Sequence, residues 1–315
     1  MKVAPKISII MATYNRAHFI VETLQSIQKQ TYTHWECLII DDGGSDNTEA
    51  VITPILKQDK RFTFFKRPDT YLKGLPGCRN YGLDRATGDY IIFFDDDDTV
   101  HPQNLELCLS VFKKHEDLHF CNYLKKSFVG AFDTNLINED FNFKSIQTNH
   151  QILEDVVTQK TPLASCTVMW KKACFKSIRF NESLMYAEEW ECYQRILSTN
   201  IKGVLIKKHL YFNRKHANSN TGEYWRKDKT RINSKKKAIH LVVSNLYKKG
   251  LLTPYLFKYL MNLAISFRDF KLVKGIIKET KPNIKLKVFY QLKYYLYPVW
   301  TKIFIIKKQI LNLRN

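Results

Sequence analysis

Long apolar runs are missing from this 315-residue chain. Nowhere do 18 uninterrupted apolar residues occur, which speaks against a membrane-spanning helix. The seven cysteines, at 37, 78, 108, 121, 166, 174 and 192, are scattered, odd in number and form no CxxC pair. They read as buried thiols of a reducing compartment, not as a metal or disulfide framework. Met1 to Lys6 leads directly into an apolar strand, so no signal peptide is expected and the chain is expected to stay in the cytoplasm. No internal repeat or long linker is visible. Acidic residues are nearly absent from the last third: residues 201–315 hold 27 Lys and Arg against 4 Asp and Glu, whereas 1–200 hold 23 against 26. That imbalance implies a separate partner for the basic segment. With 44% hydrophobic residues the chain can bury a sizeable core, which excludes wholesale disorder.

What is present is dominated by Asp95-Asp96-Asp97-Asp98, which follows the apolar run Tyr90–Phe94. Four adjacent carboxylates repel one another, and an apolar strand has no structural need of them at its end. A divalent cation removes the conflict, and Mg²⁺ at nucleotide sites is commonly shared between one or two carboxylates and phosphate oxygens. The run therefore points to phosphate chemistry.

The flanking pattern is α/β. Ile7–Ala12, Trp35–Ile40, Phe62–Lys66 and Tyr90–Phe94 read as buried strands, separated by helices expected near 17–30, 48–57 and 78–86. Asp41-Asp42-Gly43-Gly44-Ser45-Asp46 is a turn by composition, with Asp46 or Thr48 as a cap for the next helix. Alternating apolar strands and helices predict a mostly parallel sheet with its ligand beyond the strand carboxyl ends. Both acidic turns then face one crevice. Val168–Trp170 reads as a further strand, Glu188–Ser198 as a helix, and 230–315 as mostly helical.

Three segments together resemble the family 2 glycosyltransferases, which have the GT-A fold. They are Ser8–Arg16 with Asp41–Asp46, then Cys78–Gly82 with Gly88–Asp98, then Ala187-Glu188-Glu189-Trp190-Glu191. Their order and spacing over residues 6 to about 220 carry the resemblance. Gly44 departs from the family's usual single glycine, and Glu189 stands where the family usually has Asp.

The resemblance implies a catalytic domain over 1–225 and a basic helical region over 226–315, associated with a membrane surface or the acceptor. It implies an inverting, metal-dependent, non-processive transferase that moves one sugar from a nucleotide-sugar, most simply a UDP-sugar, to a saccharide or lipid-linked saccharide. Ala12 and Tyr14 would lie against the base, and Asp42 would accept from the uracil imide. Arg79 would help hold the nucleotide. Asp95 and Asp96 would contact ribose or metal, while Asp97 and His216 would ligate Mn²⁺ or Mg²⁺. Glu189 would be the base that deprotonates the acceptor, with Glu188 and Glu191 as alternatives. The Gln-x-x-Arg-Trp motif of the processive synthases does not occur here.

In the basic segment, Leu292, Leu296, Val299, Ile303, Ile306 and Ile310 continue a helical stripe from Phe289. Lys293 and Lys302 border it, and Tyr290, Tyr294, Tyr297 and Trp300 are interleaved. This describes either a helix lying in an anionic membrane interface over 284–315 or one that packs on the rest of the protein. Two other classes compete. One is a non-catalytic nucleotide- or sugar-binding module on the same fold. The other is nucleic-acid binding through the tail, which the carboxylate run opposes by repelling a polyanion.

Overall fold

The computed structural model describes residues 4–137, 144–147, 152–216 and 219–312, with the backbone alone at 145–147 and 299–312. The chain divides into two compact units, Met1–Ser234 and Lys235–Asn315.

The first unit opens with β1 (Ile7–Thr13), α1 (Ile20–Gln28), β2 (Trp35–Asp41), α2 (Thr48–Gln58), β3 (Phe62–Lys66), α3 (Leu75–Arg85) and β4 (Tyr90–Phe93). It continues through β5 (Thr99–Val100), α4 (Asn104–Lys114), β6 (Phe120–Phe128), β7 (Ser145–Gln147), α5 (Ile152–Val157) and β8 (Val168–Lys171). Then come α6 (Glu188–Leu197), β9 (Gly203–Arg214), α7 (Asn220–Trp225) and the start of α8 (Lys229–Lys248). The strands form one sheet in the order β3-β2-β1-β4-β8-β6-β9-β5, with β7 also on β9.

β1, β2, β3 and β4 pair in parallel, as do β6 and β9, whereas β4–β8, β6–β8, β5–β9 and β7–β9 are antiparallel. The parallel part is the one that the continuous apolar runs foretold. Ile7, Ile9, Ile10 and Met11 of β1 are essentially inaccessible, as a strand covered on both faces requires. α3 lies so close that a Cβ on Gly82 would stand 2.5 Å from Ile10 Cγ2. α3 begins three residues earlier than expected, because Pro76 falls in its first turn, where the missing N–H costs no helical bond.

Strand order reverses at β1, which lies between β2 and β4 although β2 follows it in sequence. Such a switch opens a crevice beyond the strand carboxyl ends. Register sharpens the placement. Thr13 sits opposite Asp41, and Ile10 opposite Phe93, so both acidic turns leave the sheet on the side where β1 ends.

The second unit holds α9 (Pro254–Ser266), α10 (Phe270–Thr280), α11 (Ile284–Asn312) and the remainder of α8. The α9 start is capped by Thr253, whose hydroxyl accepts from Leu256 N, and the α10 start by Asp269, which accepts from Leu272 N. Its core is aliphatic, with Val242, Leu246, Leu260, Met261, Val273 and Ile276 fully buried. α11 has two unlike sides. Tyr290 is buried edge-on against Phe257, Lys293 donates to Asn262 Oδ1 at 2.8 Å, and Tyr294 donates to Arg268 O at 3.2 Å. Val288, Phe289, Leu292, Tyr295 and Leu296 are exposed. The side chains of Val299, Trp300, Lys302, Ile303, Ile306 and Ile310 lie outside the described residues. None of the described helices is long and apolar enough to cross a membrane.

Candidate active site

One side of the crevice is built where β1 and β2 end. Asn15 adopts a left-handed backbone (φ 55°), and its Oδ1 accepts from Ser45 N at 2.7 Å and Asp46 N at 3.2 Å. This clamps the second acidic turn to the first strand. Asp46 in turn accepts from Thr48 N at 3.0 Å, at the start of α2. Gly44 explains its own presence: a Cβ there would stand 3.0 Å from both Asn15 Oδ1 and Asp41 Oδ1. Asp42 is buried, and its Oδ1 accepts from Arg67 Nε at 2.6 Å and from Gly74 N at 3.1 Å. The carboxylate is thus oriented by a paired guanidinium. Tyr14 is 45% exposed, with the Lys73 ammonium 4.6 Å from its ring centre. A cleft of about 630 Å³ is lined by Ala12, Tyr14, Asp42, Lys73 and Asp96 among others.

The four aspartates after β4 diverge. Asp95 points toward Arg79, whose Nη2 is 3.8 Å from its Oδ1. Asp96 is buried, and burial, then the charge of Asp97, pushes its carboxyl up to about 7. Asp97 Oδ2 lies 2.8 Å from His216 Nε2. Arg16 Nε sits 3.5 Å from Asp96 and 3.7 Å from Asp97. Asp98 turns inward, is buried, and accepts from Arg214 N at 2.7 Å. Burial, then the charges of Asp95 and Asp97, raises its carboxyl well above the usual range.

These acids fit a divalent cation. Two neighbouring carboxylates beside an imidazole nitrogen make a donor set whose oxygens suit Mg²⁺ or Mn²⁺. A second grouping, Asp95, Asp98 and Cys166, brings one ligand atom from each within 4.8 Å of the others. Burial keeps the Cys166 thiol far above its usual range and therefore protonated, which makes it a poor ligand for a hard cation. The Asp96–Asp97–His216 edge is the better fit.

The third part is the first turn of α6. Ala187, just before it, takes a left-handed backbone (φ 63°), and three acids follow where the helix dipole favours negative charge. Their environments differ. Glu191 receives Arg195 Nε at 2.7 Å and Nη2 at 2.8 Å, in an ion pair one turn along the helix. Glu188 is buried and accepts from Arg79 Nη1 at 2.9 Å. Burial, then the neighbouring Glu189 charge, pushes Glu188 up to about 8 against the pull of Arg79. Glu189 alone of the three is partly exposed, and its charge is felt at Asp95, Lys125 and Tyr186.

The structure thus brings Ala12, Tyr14, Asp42 and Asp96 to one cleft, and Asp97 to His216. Arg79 is buried, with its guanidinium bonded to Glu188 and, at 3.0 Å, to Ser165 Oγ. It joins the acidic turn to α6 from beneath. Several participants carried no sequence signal of their own: Arg67 beside Asp42, Lys73 over Tyr14, and Ser165 under Arg79. Arg16 stood inside the recognised motif without an assigned role.

The model of glycosyl transferase family 2 matches residues 8–172. The chain belongs to that family. An uncharacterized glycosyltransferase of Rickettsia conorii is 30% identical over 213 residues, 64% of this chain and 32% of that protein. The chain therefore spans about a third of that relative's length. A segment of 130 residues, 40% of this chain and 50% of the relative, is 37% identical to the Escherichia coli UDP-Glc:alpha-D-GlcNAc-diphosphoundecaprenol beta-1,3-glucosyltransferase WfgD. Among solved structures, that of S. aureus TarS 1–349 in complex with UDP-GlcNAc aligns with a TM-score of 0.67 at 17% identity, over 87% of this chain and 79% of that one. The fold of this family 2 member is accordingly GT-A.

Proposed function

We propose that the chain is an inverting glycosyltransferase that moves one sugar per encounter from a UDP-sugar to a saccharide or lipid-linked saccharide. The observation that carries the reading is a cleft and a cation-suited acidic edge at the β1 switch point, with a partly exposed glutamate in the first turn of α6 whose charge is felt at Asp95. Tyr14 supplies a face for the nucleotide base, and Asp42, fixed by Arg67, supplies an acceptor for an imide N–H. The relatives' names support the donor and acceptor classes: WfgD is named for UDP-Glc and a diphosphoundecaprenol-linked sugar, and TarS was solved with UDP-GlcNAc.

In the reaction the acceptor oxygen forms a bond to the anomeric carbon as the bond to the donor phosphate breaks. The electron pair leaves on the phosphate oxygen, and Glu189 takes the acceptor proton. Attack opposite the leaving group inverts the centre. Asp97 and His216, with Asp96 beside them, would hold Mn²⁺ or Mg²⁺, which would supply charge neutralisation for the leaving diphosphate. Arg79 acts from behind, fixing Glu188 and Asp95 so that Glu189 and the acidic turn keep their spacing. The exposed apolar stripe of α11, in a unit rich in lysine, supports a further part of the reading, that the enzyme docks on an anionic membrane surface near a lipid-linked acceptor.

The test is release of UDP, GDP or dTDP from a panel of nucleotide-sugars with Mn²⁺, Mg²⁺ or EDTA. UDP-sugar turnover that requires a divalent ion is expected. Asp97→Asn should lower it by about 10³-fold, the scale of losing several kcal/mol of charge stabilisation. Glu189→Gln should lower transfer by about 10²- to 10⁴-fold while UDP-sugar still raises the melting temperature. Normal transfer by both variants would falsify the site assignment.

A further inference from the structure

Asp97 and His216 lie 119 residues apart in sequence, yet their side chains meet at 2.8 Å. The two segments are joined by Arg214, the last residue of β9, two positions before His216. Arg214 is buried at 9% exposure. Its backbone N donates to Asp98 Oδ1 at 2.7 Å, and its Nε donates to Asp97 O at 3.0 Å. It therefore grips the acidic turn twice, once by main chain and once by side chain.

The rest of the guanidinium reaches other segments. Nη1 donates to Gly130 O, in the turn after β6, and Nη2 donates to Glu22 of α1. The guanidinium carbon stands 5.1 Å from the ring centre of Phe19 and 4.6 Å from that of Phe128. Phe19 also meets the His216 ring, with centroids 5.2 Å apart. Lys215 N donates to Phe128 O at 2.8 Å, so the chain stays tied to β6 up to the residue before His216. The ion pair of Arg214 is with Glu22. From Asp97 the guanidinium takes the carbonyl oxygen and leaves the carboxylate facing His216.

We propose that Arg214 is the positioning residue of the cation edge, holding the Asp97 backbone against the end of β9 and so setting the spacing between the Asp97 and His216 side chains. This rests on the reading in which that pair would hold Mn²⁺ or Mg²⁺, and adds to it the residue that fixes the pair. Metal ligands must be placed to within about 0.2 Å, and groups that orient them typically govern affinity about 10- to 100-fold. The planar fork accounts for arginine at this position. It aims three nitrogens at oxygens of three separate segments, which a lysine ammonium on a flexible stem does not reproduce.

The experiment measures Mn²⁺ binding to the full chain with UDP present, from the electron paramagnetic resonance signal of free Mn²⁺. Wild type, Arg214→Lys, His216→Ala and the double variant are compared, with urea midpoints read alongside. Arg214→Lys keeps the charge and should weaken Mn²⁺ binding by about 10- to 100-fold. Added to His216→Ala, it should change the affinity by less than about threefold, because no second ligand remains whose spacing it could set. A Mn²⁺ affinity of Arg214→Lys within about twofold of wild type overturns the proposal. So does a loss that adds in full to that of His216→Ala, which would mark Arg214 as general support of the fold. If Arg214→Lys does not fold, Glu22→Gln decides the matter by releasing only the outer arm of the fork. It should weaken Mn²⁺ binding by about threefold, and unchanged binding overturns the proposal. If His216→Ala alone binds Mn²⁺ as the wild type does, the reading of His216 as a ligand fails and the proposal falls with it.

Discussion

The two units break the rule of apolar inside and polar outside in opposite directions. Met1–Ser234 buries charge: Asp42, Arg79, Asp96, Asp98, Glu188 and Glu191 are all at most 9% exposed. Lys235–Asn315 exposes apolar surface along α11, while its core is mostly aliphatic with the buried Phe257–Tyr290 pair beside it. It also holds 18 of the 50 Lys and Arg but only 2 of the 30 Asp and Glu. Both of those acids are paired inside the unit, Asp269 with Lys236 at 2.9 Å and Glu279 with His240 at 3.3 Å. Buried charge is held against its desolvation cost and marks where chemistry needs fixed fields. Exposed apolar area beside unbalanced lysines marks a surface for a partner. The two departures are of different kinds, buried charge in one unit and exposed apolar surface in the other.

The comparison is broken most directly at Arg79. Arg79→Met strands Glu188 without its counter-charge, and a loss of about 3–5 kcal/mol in urea unfolding at pH 8.5 is expected. The double variant Arg79→Met, Glu188→Leu should regain most of it. A single variant as stable as the wild type would mean that the buried pair is not under the strain argued here.

On the second unit, Phe289→Glu with Leu292→Glu should lower sedimentation with phosphatidylglycerol vesicles at low salt by at least tenfold, since two exposed apolar anchors are lost and charge of the wrong sign is added. UDP-sugar turnover in solution should not change. Equal vesicle binding by wild type and variant would remove the membrane assignment from this stripe.

The smallest effect is a pH slope. The fold raises Glu188 from an ordinary 4.5 to about 8, so it favours the protonated carboxyl. That contribution is whole below about 4.5 and drains as pH climbs to about 8. The urea midpoint should therefore fall between pH 5 and 8.5 more steeply in the wild type than in Glu188→Gln. Parallel slopes would place the burden of the acidic cluster elsewhere.

Sequence alone revealed the parallel part of the fold because strands buried on both faces are written as unbroken apolar runs. β9 was not legible. Lys207, Lys208 and His209 interrupt its apolar pattern, although Lys208 is buried and reaches Gln103. The acids of the site were legible as types, since clustered carboxylates are conspicuous, but their division of labour was not. Asp98 looked like its neighbours and proved to be a buried acceptor for Arg214 N. Likewise, the separate fates of Glu188, Glu189 and Glu191 depend on Arg79, which is 109 residues from Glu188, and on Arg195, one turn along the helix. No local pattern encodes the first of these partnerships.

Asn15 and Gly44 carry a consequence for descent. The oxygen with which Asn15 clamps the turn after β2 is one of two, with Asp41 Oδ1, that would stand 3.0 Å from a Cβ at 44. Trading Asn15 for a smaller residue relieves only one of these contacts and leaves Asp41 in place. A side chain enters position 44 only in a lineage whose turn shifts away from both oxygens, so changes at 15, 41 and 44 are coupled.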